Sequence, residues 1–81
     1  LIMDNKEKYI NIFKDLFNVE ETKLNDKFTF ADVDNWDSLT HMSLISMLED
    51  EFDVFFDTED ILNFGSFNNG INILRKYGVE I

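Results

Sequence analysis

Asn35-Trp36-Asp37-Ser38-Leu39-Thr40, and the amphipathic run that follows it to Phe52, decide how this chain folds. Ser38 stands where a helix begins. Asp37, just before it, is a good N-cap that can accept hydrogen bonds from the open N–H groups of the first turn. A serine in that turn can project its hydroxyl outward, toward the positive end of the helix dipole. A phosphate ester on that oxygen would be held by the dipole and by unpaired backbone N–H groups. The second helix is expected from about Ser38 to Glu51, with Leu44, Ile45, Leu48 and Phe52 as its core stripe. Leu39, Met42 and Ser46 fall on another side, near Glu49 and Asp50. Those apolar groups face either another helix of the fold or a partner.

Working outward, Asp4 or Asn5 can cap a first helix, expected from about Lys6 to Phe17. Tyr9, Ile12, Phe13, Leu16 and Phe17 recur along one face of it. Asn18 to Asp34 reads as an ordered loop pinned to the core by Val19, Leu24, Phe28, Phe30 and Val33. It has room for one short helical turn, and Lys27–Val33 weakly suggests a strand. Asp53–Phe56 is a connector. Asp57 or Thr58 can cap a brief third helix containing Ile61 and Leu62 and ending near Asn63–Gly65. Ser66 caps a fourth, bearing Phe67, Ile71, Leu74 and Tyr77. Gly70 inside it costs about 1 kcal/mol relative to Ala. Gly78 is its expected stop. Three main helices and a short one form an all-α, antiparallel four-helix bundle.

The 81 residues read as one domain, 1–81, with 44% apolar residues to build a single core. Leu1 and Ile2 precede Met3 and are read as a cloning remnant or an upstream start. There is no Cys, so no disulfide, thiolate zinc site or cysteine nucleophile is available. No apolar run approaches the roughly 20 residues of a membrane span, and no signal peptide is visible; a cytoplasmic domain is expected. The net charge is −10, and no Lys or Arg falls between Phe28 and Leu74, where ten acids do. All of the net charge therefore lies on the segment around Ser38. Nucleic acid and anionic membranes are repelled by such a field, and basic protein surfaces are attracted. The plainer reading is that acid keeps a small protein dissolved.

His41, the single histidine, follows Ser38 by one turn, but nothing marks an orienting acid or an oxyanion hole. It reads as a partly packed helix residue. Gly65-Ser66-Phe67 lacks what a nucleophile elbow needs, and there is no glycine-rich phosphate loop. Asp32, Asp34 and Asp37 fail the calcium-loop pattern, whose sixth and twelfth positions here hold Asp37 and Ser43. No enzyme and no metal site is expected.

Trp36-Asp37-Ser38-Leu39, followed by Leu44, Leu48-Glu49-Asp50-Glu51-Phe52 and Phe56, resembles the acyl carrier protein family and its peptidyl carrier relatives. The likeness extends from the first helix to about Tyr77 and is strongest over Trp36–Phe56. It implies that a phosphopantetheinyl transferase attaches 4′-phosphopantetheine to Ser38. The arm's thiol would carry an acyl or aminoacyl group as a thioester, an activity of a carrier and not of an enzyme. It implies that Asp37 and Leu39 flank the attachment site. Leu39 and Met42 would form an apolar contact. Glu49, Asp50 and Asp53 would meet basic patches on acyl-loading and acyl-transfer enzymes, in transient, salt-sensitive contacts. Ile45, Leu48, Phe56, Ile61 and Phe64 would line a cargo cavity in a monomeric protein. Ser43, Ser46 and Thr40 depart from a housekeeping fatty-acid carrier, where acidic, apolar and acidic residues are usual. The expected role is therefore a specialised carrier in fatty-acid, polyketide or related lipid synthesis. Its Phe-lined cavity would favour a short or exposed cargo. The alternative from the residues alone is an unmodified acidic helical module that binds a basic protein.

Overall fold

Helix signals and an aromatic core together shape the chain. The structure, a computed structural model, describes residues 2–81; Leu1, read above with Ile2 as a cloning remnant or an upstream start, lies outside them. Four α-helices follow in order: α1 (Asn5–Phe17), α2 (Ser38–Phe52), α3 (Thr58–Leu62) and α4 (Phe67–Lys76). A single 3-10 turn, Glu21–Lys23, is the one helical turn within the long α1–α2 loop. No strand forms among the described residues. The Lys27–Val33 suggestion reduces to one antiparallel bridge, Thr29 to Ser66. The Phe30 N–H donates to the Gly65 carbonyl and the Phe67 N–H to the Phe28 carbonyl, each at 2.9 Å. These bonds fasten the loop to the α3–α4 turn.

The caps follow the sequence. Asp4 accepts from the Glu7 N–H at 2.8 Å, which begins α1 one residue before the expected Lys6. Ser66 accepts from the Asn69 N–H at 2.9 Å. At α3, Asp57 is the N-cap residue but its side chain makes no capping bond. α2 continues one residue past the expected Glu51. It ends on Asp53, whose φ of 53° puts a non-glycine residue in the left-handed region. That conformation costs roughly 1 kcal/mol, and a carboxylate there also faces the negative end of the helix dipole. Asp53→Gly should therefore raise stability by about 1 kcal/mol. Urea unfolding checks this, and an unchanged or lower midpoint would contradict it.

Aromatic side chains fill the centre. Tyr9, Phe13 and Phe17 of α1 meet Phe28, Trp36 and Phe67, with Phe13–Phe67 and Phe17–Trp36 ring centroids 5.1 and 5.2 Å apart. Leu44, Ile45 and Leu48 of α2 are buried against this cluster. Phe52, expected in the same stripe, is only partly buried, because it lies in the last turn of α2 where the core thins. Leu16 is likewise partly buried. Phe30, expected to pin the loop inward, stands 43% exposed. Phe28 takes the inner position two residues earlier. No helix among the described residues is long and apolar enough to cross a membrane.

Candidate functional site

The start of α2 is set by what lies beneath it. Trp36 is buried, with its ring tilted against Phe17 and Phe28 and edge-on to Phe13, and its backbone N–H donates to the Val33 carbonyl at 3.0 Å. With the indole anchored inward, the next residues turn out to solvent. The Asp37 carboxylate accepts from the Thr40 N–H at 2.8 Å. That bond, with help from the Leu39 amide, holds its pKa below the ordinary aspartate range. Ser38, the first residue of the helix, is exposed. Leu39 is 81% exposed beside it and Met42 52% exposed.

Ser38 also forms part of the wall of an apolar groove of about 350 Å³. His41 and Met42 of α2, Ile61 and Leu62 of α3, and Phe30 and Gly65 from the flanking loops complete it. The groove is present because Phe30 stays out of the core and because Leu62, 77% exposed, is at the solvent end of α3. Of the five residues expected to line a cargo cavity, Ile61 alone lines this groove. Ile45, Leu48, Phe56 and Phe64 are packed in the core. Phe30, His41, Leu62 and Gly65 were not among the expected site residues. The signal available for them was weak: two apolar side chains, Phe30 and Leu62, outside any helical stripe.

His41 bridges the elements around the groove. The Trp36 Nε1–H donates to its Nδ1 at 3.0 Å, and its Nε2 lies 2.8 Å from the Ile61 carbonyl. Only a neutral ring with the proton on Nε2 satisfies both bonds.

The expected partner-facing acids occupy distinct environments. Asp50 and Asp53 are exposed. Glu49 is partly buried, and its carboxylate accepts from the Phe56 N–H at 3.0 Å, clasping the α2–α3 connector. The charge on α2 runs against its dipole. Its first turn has no acid and its last turn no base, while Glu49, Asp50 and Glu51 crowd the negative end. Each such acid costs about 0.3–1 kcal/mol of helix stability. Residues that break a local rule in this way are expected where a surface serves something other than folding.

No protein-family model matches the chain. Among the described residues, no three His, Asp or Glu side chains converge as a metal site would require.

α3, which supplies the groove's outer wall, is five residues long and depends on a polar tie. Asp60 is nearly buried. Its Oδ1 accepts from Lys76 Nζ at 2.6 Å and its Oδ2 from the Tyr77 hydroxyl at 2.5 Å. The Tyr77 oxygen in turn accepts from the Asp57 N–H. The Lys76 bond first, and then the Tyr77 bond, hold the Asp60 pKa below the usual aspartate range; the same contact raises that of Lys76. The Asp60 contribution is complete above the unfolded-chain value of about 3.9, and it is lost as pH falls through the lower folded value. The Lys76 contribution is complete below about 10.4 and is lost as pH rises through the higher folded value. The tie is therefore strongest between those limits. Asp60→Asn should lower the urea midpoint clearly near pH 7, and the gap to the parent protein should be smaller at pH 3. A gap of equal size at both pH values would mean that the ion pair adds nothing.

Proposed function

We propose that this protein is a carrier that takes 4′-phosphopantetheine on Ser38, within an antiparallel four-helix bundle of the acyl carrier type. The observation that carries this reading is the placement of Ser38. It is an exposed hydroxyl at the first position of a capped helix, beside an apolar groove and on the charged half of the chain. The residues fit the group. The first-turn amides and the positive helix end favour a phosphodiester on Ser38. The apolar groove next to it can receive part of an uncharged arm or its cargo. When attached, the arm supplies a thiol, which a chain without Cys lacks.

The chain's own residues then have plain tasks. Asp37 fixes the helix start and so the direction of the Ser38 hydroxyl. Leu39 and Met42 offer exposed apolar contact to visiting enzymes, and Asp50 and Asp53 offer charge to their basic patches. Glu49 contributes less there, because its carboxylate already holds the connector. Exposed ion pairs of this kind are worth about 0–1 kcal/mol each. Contacts are then brief and weaken with salt, as suits a protein that serves several enzymes in turn. The cargo is short or partly exposed, since Phe56 and Phe64 occupy the core where a longer chain would run. The protein acts as a cytoplasmic monomer in a dedicated pathway and catalyses nothing itself.

The test is to incubate the purified chain with coenzyme A and broad-specificity phosphopantetheinyl transferases and then weigh it. A gain of one phosphopantetheine is expected. A chain that stays unmodified with several transferases would overturn this reading in favour of an unmodified acidic module. The exposed Leu62 and Phe55 beside the acids of α2 and α3 give that second reading its footing.

A further inference from the structure

We infer that Phe30, Met42 and Leu62 hold the gem-dimethyl segment of the chain's own phosphopantetheine arm in the groove beside Ser38, and that the cargo stays outside it. This rests on the carrier reading and names what fills the groove. Ser38 is itself part of the groove wall, so whatever is attached to its hydroxyl starts at the rim. In 4′-phosphopantetheine the unit next to the phosphate ester carries a quaternary carbon with paired methyls. The amides and the thiol lie beyond it. The tether makes the contact between methyls and groove intramolecular, so a weak apolar attraction is enough to populate it. Cargo hangs from the far end of the arm. To reach a groove beside Ser38 it would have to fold the arm back and order every rotor between.

The lining selects the same occupant. Phe30, Met42 and Leu62 line the groove and are all exposed, which leaves their apolar surface open to a ligand. Apart from the Ser38 hydroxyl, the nitrogen- or oxygen-bearing side chain of the groove is that of His41. Both of its ring nitrogens are already bonded, one to the Trp36 indole and one to the Ile61 carbonyl. The side chains there have no partner to spare for an amide or a thioester, and burying either group unpaired is costly. Paired methyls need no partner. Charge offers no other hold. No Lys or Arg lines the groove, and none lies between Phe28 and Leu74. An anionic cargo is repelled by that segment, so the contact that keeps the arm on the surface is apolar.

The test uses the full chain, loaded by a transferase from coenzyme A whose geminal methyls are carbon-13 labelled. Mass confirms one group per chain before each spectrum. Nuclear Overhauser contacts should join the labelled methyls to the Phe30 ring and the Leu62 methyls. The ring current of Phe30 should also move the methyl signals away from their positions in free phosphopantetheine. They should stay moved in about 1 M salt, where charge contacts are screened beyond about 3 Å. In Leu62→Ser and in Phe30→Ala the contacts should be lost and the signals should return toward the free positions. Leu62 is 77% exposed, so its variant keeps the fold even if Phe30→Ala, which removes a ring set against Trp36 and His41, does not. A hexanoyl thioester on the arm should leave the methyl signals in place. Methyls that match the free arm, that salt releases, that a hexanoyl group displaces, or that stay moved in folded Leu62→Ser would each overturn the inference and leave the carrier reading standing. A chain that takes no arm overturns both.

Discussion

Gly70→Ala should destabilise the protein by about 2 kcal/mol, although helix propensity alone favours the change. Gly70 lies inside α4, where alanine gains about 1 kcal/mol over glycine. Here, however, the backbone of α4 runs against the core. A Cβ at this position would overlap the Phe64 ring and the Tyr9 hydroxyl. Neither neighbour can give way easily. Both are fully buried, and the Tyr9 hydroxyl donates to the Phe67 carbonyl at 2.7 Å. Inserting a methyl into such a site costs up to about 3 kcal/mol in shifted side chains and lost contacts, which the helix gain reduces to a net of about 2 kcal/mol. At about 4–8 °C per kcal/mol for a chain of this size, the melting temperature should fall by roughly 10 °C or more.

A double mutant separates this cause from a general effect on α4. Tyr9→Phe alone should cost about 1 kcal/mol, through the bond to Phe67. In the Gly70→Ala background it should cost much less, or help, because it removes the Tyr9 oxygen, one of the three atoms in the way. Phe64 also touches His41 and Trp36, with centroids 5.8 and 6.3 Å away. Trp36 fluorescence should therefore shift in the single mutant. A melting temperature that rises in Gly70→Ala would mean that the core has more slack than the packing indicates.

Gly70 also marks where sequence reading reaches its limit. Helix spacing and caps are local properties, and they were legible: Asp37 and Ser66 cap as their residue types require, and the Tyr9–Phe17 stripe is buried apart from Leu16. Whether a glycine in a helix is a blemish or a need depends on a ring six positions earlier and a hydroxyl on another helix. No periodicity contains that. The groove has the same character. Ser38, Leu39 and Met42 could be placed at the start of α2 and off its core stripe from their spacing, but that Leu39 and Met42 face solvent could not. Phe30 joins them only because Phe28 takes the inner position and the loop is fastened to the α3–α4 turn. His41 was legible as partly packed, but its two partners come from a loop and from the end of a five-residue helix. The cavity expected behind Ile45 and Leu48 rested on likeness, and whether side chains there meet or leave space is decided by volumes across three elements.

Ser38→Ala should abolish the mass gain from coenzyme A and transferase while leaving the fold intact. The residue is exposed, its side chain is not the cap, and alanine is at least as good a helix former, so stability should change by no more than about 0.5 kcal/mol. The whole loss then belongs to the hydroxyl. Asp37→Ala is the informative companion. It removes the carboxylate that fixes the Thr40 amide, so the first turn frays and the melting temperature falls, yet the attachment oxygen remains. Loading of Asp37→Ala should be slower but should still reach one group per chain. If Ser38→Ala still gains the mass, the group is attached elsewhere and the groove beside α2 has no part in it. If Asp37→Ala loads as fast as the parent protein, the cap stabilises the helix without directing the serine, and presentation of Ser38 must come from the anchored Trp36 beneath it.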